Sequence, residues 1–260
     1  MIIDVHAHLH DEKFNQIRSE ILNNMQKDNV EKVINAGCDL ETCKKVINLC
    51  NLNKNCYAVL GMHPSYCEQY NQEFEQFLIT QSKHNKVVGI GEIGLDYYWT
   101  KENKEQQKQV FIQQIKIAHQ LQLPIVVHIR DAYGDALEIF KEYKQYLTHG
   151  VCLHCFSGSL EFYNEICKMG FYVSIGGTVT FKNNVKTVEV VKNLNKQMFM
   201  LETDCPYLAP VPHRGELNQP KYIYHTACKF ADIWRISPED VIDLATKNSY
   251  NFFKKLGNQE

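Results

Sequence analysis

Ile2-Ile3-Asp4-Val5-His6-Ala7-His8 opens the chain with a short apolar run that ends in two histidines two residues apart. Residues 2–5 read as a strand, and from there strand-like and helix-like segments alternate to the end. That alternation marks an α/β protein with a parallel sheet. The strand-like segments are 2–5, 32–36, 57–61, 87–90, 124–128, 151–154, 171–175 and 198–202, and eight is the number that closes a (β/α)8 barrel. Between them lie amphipathic stretches such as 104–122, where Val110, Ile112, Ile115, Ala118 and Leu121 recur at near-helical spacing. Ser237-Pro238-Glu239 reads as a helix start, with a serine cap and proline in the first turn. The expected fold is therefore α/β, a single (β/α)8 TIM barrel with a C-terminal helix, spanning 1–260 as one domain. No internal repeat, low-complexity tract or Pro/Gly/Ser linker divides the sequence. The Pro-rich stretch 204–220 follows the last strand-like segment, which in a barrel makes it a loop over the mouth.

Bulk properties narrow the function. The formal net charge of -2 argues against a sequence-independent nucleic-acid coat, which needs an excess of Lys and Arg. Any nucleic acid must be held locally, with the help of bound cations. Ten cysteines diluted over 260 residues, with no apolar signal segment at the start, read as reduced thiols of a cytoplasmic protein. Cys152 and Cys155 bracket His154 in a C-x-x-C, but no second pair completes a zinc ribbon. No stretch reaches the apolar length of a membrane span, and no obligate protein partner is evident.

His6 and His8, two residues apart on a strand, point to one face by period-2 alternation. H-x-H alone is as often a hydrogen-bonded pair as a metal site, so the other candidates decide. Glu92 follows the fourth segment, His128 ends the fifth, His154 ends the sixth and Asp204 follows the eighth. Strand ends converge on one face of a barrel, and the eighth strand neighbours the first, bringing Asp204 to His6 and His8. Four histidines and two carboxylates exceed the needs of one tetrahedral ion. They favour two cations about 4 Å apart, with Glu92 as the bridge. The plain alternative is that each of these groups only satisfies local backbone, which six strand-end residues in concert make a poor account. His10, His84, His119, His149 and His225 have no partners at matching positions and read as surface or structural residues.

Several ordered motifs carry a resemblance: His6-Ala7-His8, Gly61-Met62-His63-Pro64, Gly91-Glu92-Ile93-Gly94-Leu95-Asp96-Tyr97-Tyr98, His128-Ile129-Arg130, His154-Cys155-Phe156-Ser157-Gly158 and Glu202-Thr203-Asp204-Cys205-Pro206-Tyr207-Leu208. The segment 212–220, with His213-Arg214-Gly215, Asn218 and Pro220, extends it. Together they resemble the successive signatures of TatD-like deoxyribonucleases, an amidohydrolase-like barrel family. The resemblance implies a two-metal nuclease with His6, His8, Glu92, His128, His154 and Asp204 as metal ligands. Where relatives outside the nuclease branch carry a modified lysine, this chain has Glu92.

Asp204 and Glu92 are the expected catalytic carboxylates, Asp204 being best placed to take the attacking water's proton. Glu202 shares Asp204's face by alternation and is expected to orient a ligand, touch a further cation or form a salt bridge. His63 is expected to contact substrate phosphate or water, or simply to be a local cap beside Pro64. Arg130 is expected to grip phosphate with its planar fork unless Asp131 or Asp135 engages it. Asp96 is expected to hydrogen-bond a ligand histidine. The tyrosines after it and Trp99 either stack on a nucleobase or pack at the mouth. The expected activity is divalent-metal-dependent hydrolysis of DNA phosphodiesters, at ends or single strands, with Mg, Mn, Zn or Co. The competing readings are an ester or amide hydrolase, including one for aminoacyl esters on RNA, and a non-catalytic metal-binding scaffold.

Overall fold

The computed structural model describes residues 1–99 and 101–257. Its eight strands are β1 (Ile2–Ala7), β2 (Val30–Gly37), β3 (Cys56–Leu60), β4 (Val87–Asp96), β5 (Ile125–Arg130), β6 (Val151–Leu153), β7 (Tyr172–Ile175) and β8 (Phe199–Leu201). They form one parallel sheet in chain order. Helices follow them: α1 (Arg18–Asn24), α2 (Leu40–Leu52), α3 (Gln72–Gln81), α4 (Lys104–Gln120), α5 (Tyr133–Glu142), α6 (Leu160–Lys168), α7 (Val185–Asn193) and α8 (Ile223–Trp234). A ninth, α9 (Pro238–Phe252), is the expected C-terminal helix, started by a capping box between Ser237 and Asp240. The last residues of the expected domain, 258–260, lie outside the described residues.

The barrel closes beyond the formal end of β8. Asp204 N–H donates to the His6 carbonyl at 2.9 Å, and His8 N–H donates to the Cys205 carbonyl at 2.8 Å. Closure and site assembly are thus the same event, because the residues that seal the last seam carry the candidate ligands. Asp4 reinforces the seam: its fully buried carboxyl accepts from Thr203 N–H at 2.9 Å and from the Thr203 hydroxyl at 2.5 Å.

The apolar residues fall into two clusters. The larger fills the space between strands and helices. The smaller lies inside the barrel, with Ile3, Val5, Ile34, Tyr57, Val126, Cys152 and Met200, and is plugged from below by Phe252 and Phe253 at the end of α9. Period-2 alternation from Val126 and Cys152 puts His128 and His154 directly above this inner layer. For His6 the same rule misleads, since uninterrupted alternation from Ile3 and Val5 would turn it outward. A register shift between Asp4 and Ala7 accompanies its inward placement.

Segment bounds also differ from expectation. β4 runs to Asp96 with all ten residues buried, so Glu92 stands within the strand rather than after it. The expected strand stopped at residue 90, short of Gly91 and Gly94, a residue type that usually weakens strands. Here they are required by close approach to β5. Gly94 has φ +145°, and a Cβ on it would sit 2.0 Å from the His128 carbonyl oxygen. Gly94→Ala is therefore expected to cost at least about 3 kcal/mol and lower Tm by roughly 6–12 °C, read by thermal unfolding. An unchanged Tm would mean that β4 and β5 separate without cost. β6 and β8 are shorter than expected, leaving His154 and Glu202 on the connections above them, where Asp204 was expected.

All ten cysteines are free. Cys152 is buried in the inner cluster while Cys155 reaches the cleft, so the C-x-x-C pair is divided between two environments. No helix among the described residues is long and apolar enough to cross a membrane.

Candidate metal centre

Above the inner cluster opens a cleft of about 740 Å³ lined by residues from the carboxyl ends of the strands, among them His8, His63, Glu92, His128, His154 and Asp204. Glu92 is its centre. Its Oε1 lies 2.8 Å from His154 Nε2, 2.9 Å from His128 Nδ1 and 3.4 Å from His63 Nε2. Its Oε2 faces the other way, 3.3 Å from His6 Nε2 and 3.8 Å from His8 Nε2. Asp204 Oδ1 completes that second group, 3.3 Å from His8 Nε2 and 3.8 Å from His6 Nε2. One carboxylate thus sits between two nests of imidazoles.

Neighbouring groups fix the tautomers. His8 Nδ1 donates to the Ala36 carbonyl at 3.1 Å, which leaves the Nε2 lone pair aimed at Asp204 when the ring is neutral. His128 Nε2 meets Asp96 Oδ2 at 3.0 Å, so Nδ1 is the nitrogen that faces Glu92. His63 is different. Its Nδ1 accepts the Ser65 N–H at 3.1 Å while capping the 3-10 turn over Pro64–Gln69, so in the neutral ring Nε2 carries the proton. It can donate, and it cannot ligate through that atom. The local-cap reading and the substrate-contact reading are thus both compatible with one ring.

His6 tests whether these residues suit a metal. It is completely buried, and both ring nitrogens lack a hydrogen-bond partner. The 3.3 Å approach of Nε2 to Glu92 is close enough for an ion pair but lacks hydrogen-bond geometry. Burial and the neighbouring His154 hold the His6 pKa down, so the ring is neutral. A neutral nitrogen left unpaired beside two carboxylates is costly unless a cation lies between them. Donor atoms of His6, His8 and Glu92 lie within 4.8 Å of one another. The chemistry of the donor set therefore fits bound divalent cations.

Glu202 departs from the expected geometry. β8 ends at Leu201, and Asp204 adopts φ +55°, so strand alternation does not relate the two carboxylates. Glu202 lies fully buried beneath the cleft, accepting from Ser174 Oγ at 2.5 Å and Cys155 N–H at 2.7 Å. Its Oε1 is 3.8 Å from His154 Nδ1, on the opposite side of that ring from Glu92. His6 and His154 stack at 3.9 Å.

A family model described as TatD related DNase matches residues 3–254. This chain belongs to the TatD family. An uncharacterized metal-dependent hydrolase of Bacillus subtilis, YabD, is 38% identical over 254 residues, covering 98% of this chain and 99% of the relative. Another, YcfH of Escherichia coli K12, is 32% identical over 256 residues, covering 97% and 95%. Among solved structures, the TatD homolog YjjV of E. coli K12 superposes with a TM-score of 0.90 at 26% identity, covering 97% of this chain and 98% of that one.

In this TatD-family chain, the sequence motifs had omitted Asp4, Cys38 and Ser174 around the centre. Asp4 was legible in principle as a carboxylate two residues before His6 in an apolar strand. Cys38, whose Sγ lies 3.7 Å from Glu92 Oε2, carries no spacing signal. Burial lifts the Asp4 carboxyl to about 8 against the hydrogen bonds from Thr203.

The ligand groups also predict a pH response. Burial raises Glu92 and Asp204, but the histidines outweigh it and hold both carboxyls below their ordinary 4.5 and 3.8. Burial lowers His128 and His154, yet Asp96, Glu92 and Glu202 lift both above 6.5. In metal-free protein the depressed carboxyls add stability that is present above pH 4.5 and lost as pH falls through their folded values. The raised histidines add stability that is full below pH 6.5 and lost as pH rises through theirs. Metal-free Tm should therefore decline from mildly acid to alkaline pH. Affinity for any cation held by His128 and His154 should rise over the same range, because it would have to displace their protons. Calorimetric titration in buffers of different ionisation heat measures the proton release; its absence would mean that His128 and His154 are neutral in the free protein.

Proposed function

We propose that this TatD-family metal-dependent hydrolase is a deoxyribonuclease that cuts phosphodiesters with two divalent cations. The observation that carries this reading is the division of Glu92, with Oε2 turned to His6 and His8 and Oε1 to His128 and His154. A bridging carboxylate between two ligand groups suits a pair of cations better than one. His6, His8 and Asp204 would hold one, and His128 with His154 the other; the family description of a DNase supports the choice of substrate. Bound cations of this kind stabilise charge on a phosphoryl oxygen and lower the pKa of water.

The chain's own groups then divide the work. Asp204 takes the proton from the attacking water as its oxygen bonds to phosphorus, and the P–O bond to the leaving sugar oxygen breaks. His63 Nε2–H donates to a non-bridging phosphate oxygen, the role its tautomer leaves open. Asp96 holds the His128 ring in position. Glu202, behind His154, orients that ring and the Cys155 backbone. Arg130 ends β5 at the cleft, and neither acidic neighbour engages it: Asp135 instead takes Lys108 at 2.7 Å and the Tyr97 hydroxyl at 2.7 Å.

Arg130→Ala is expected to lower kcat/KM on DNA by about tenfold to a hundredfold, or roughly 1.4 to 3 kcal/mol, with metal content unchanged. Arg130→Lys should recover part of it, since an ammonium lacks the planar fork. Equal loss on a small uncharged ester would reduce Arg130 to local support. The reading as a whole is tested with end-labelled single- and double-stranded DNA under a metal titration. Cleavage that follows metal supports it. Turnover of an aminoacyl or other carboxylic ester by the same preparation, with DNA untouched, would replace it.

A further inference from the structure

The aromatic loop after β4 stands apart from the ligand groups. Tyr97 is buried, its hydroxyl on Asp135, and is packing. The next two residues are not, since Tyr98 is 53% and Trp99 70% exposed. The alternative that these rings pack at the mouth therefore fails for Trp99. Its indole lines the same cleft as the ligand cluster, edge-on to Tyr98 at 4.8 Å and 88°. The Arg130 guanidinium lies 3.7 Å above the Tyr98 ring, on the cleft side of β5, with Trp99 5.5 Å away.

This loop is tied to the site. The Asp96 carboxylate that meets His128 Nε2 through one oxygen accepts the Tyr98 N–H at 2.9 Å and the Trp99 N–H at 3.4 Å through the other. A single side chain thus sets the position of a candidate metal ligand and of the exposed rings. The Tyr98 face is covered by Arg130, which fixes the guanidinium plane and leaves the indole as the open π surface beside a cation. Stacking on an aromatic face next to a phosphate-binding guanidinium is the way single-stranded nucleic acid is held without reading its sequence.

We propose that Trp99 is a stacking platform for an unpaired nucleobase at a DNA strand end, with the adjoining phosphate at Arg130. The inference rests on the nuclease reading and gives the expected preference for ends and single strands a residue and a cause: a base must leave the duplex to reach the indole. Stacking tolerates any base, so sequence preference should be weak.

Two tryptophans simplify the test. Trp234 is partly buried and its Nε1 donates to the Val191 carbonyl at 2.7 Å, so Trp99 is the exposed reporter. A short single-stranded oligodeoxynucleotide with cleavage-resistant phosphorothioate linkages is titrated into metal-loaded protein while indole fluorescence is followed. Quenching is expected, and should persist in Trp234→Phe. Trp99→Ala should weaken binding by about tenfold and Trp99→Phe far less, and an oligonucleotide abasic at its end should lose about as much with the wild type. Metal content and turnover of a small phosphodiester should not change in Trp99→Ala. DNA cleavage with no quenching, or with Trp99→Ala and abasic substrates behaving as normal, overturns the platform and leaves the nuclease reading intact. A wild-type protein that neither cuts nor binds DNA overturns both.

Discussion

Glu92→Ala is expected to abolish DNA hydrolysis, with kcat/KM falling at least about a thousandfold, equivalent to roughly 4 kcal/mol of transition-state stabilisation. The expectation follows from position. Glu92 lies within 3.8 Å of five imidazoles and shares its two oxygens between two groups of them. Its removal takes one ligand from each proposed cation and the carboxylate whose two oxygens face the two histidine groups. Metal occupancy should fall at both positions together, which distinguishes a bridge from a ligand to one ion. The fold should persist, because the inner and outer apolar clusters do not include this side chain. Elemental analysis and circular dichroism check both points. A catalytically normal Glu92→Ala protein with undiminished metal would end the bridging assignment.

Removal of metal by a chelator is expected to have the next largest effect, a reversible loss of more than about a hundredfold in activity with the room-temperature circular dichroism spectrum unchanged. A barrel with a plugged interior and helices packed outside does not need the ions in order to fold. Thermal stability should nevertheless respond. Ions that bind only the folded state at about a hundred times their Kd add about 2.7 kcal/mol, so chelation should lower Tm by roughly 5–11 °C. The loss arises where histidine nitrogens such as those of His6 are left buried without partners. Restoration on readdition of metal is the second half of the test. Global unfolding on chelation would make the site structural and weaken the hydrolytic reading.

The TatD-family resemblance was legible from its ordered motifs, and the barrel for a separate reason. Alternating strands and helices bring every strand's carboxyl end to one face, so polar residues at those ends can be gathered from sequence order alone. His128 and His154 were the clearest cases, since alternation from Val126 and Cys152 holds through β5 and β6. His6 was reached by a rule that fails locally, because the shift between Asp4 and Ala7 interrupts the alternation. Glu202 was paired with Asp204 by the same rule, yet the strand ends before either residue. Such irregularities have no signature in residue type.

By itself, the sequence determined the eight-strand alternation, the C-terminal helix with its Ser237 cap, and the set of histidines and carboxylates at strand ends. These depend on periodicity and local chemistry, which a linear chain displays. Only the tertiary structure decided which oxygen of Glu92 faces which histidines, that His8 offers a lone pair, that Glu202 lies behind His154, and that Trp99 stands in the open. Each depends on atoms far apart in the chain: Ala36 sets the His8 tautomer, Ser174 holds Glu202, and Asp96 on β4 joins His128 on β5 to the backbone of Trp99. A side chain's direction and the partner on its far side are fixed when the last seam closes between His6, His8 and the Asp204–Cys205 backbone, and no shorter stretch of sequence contains them.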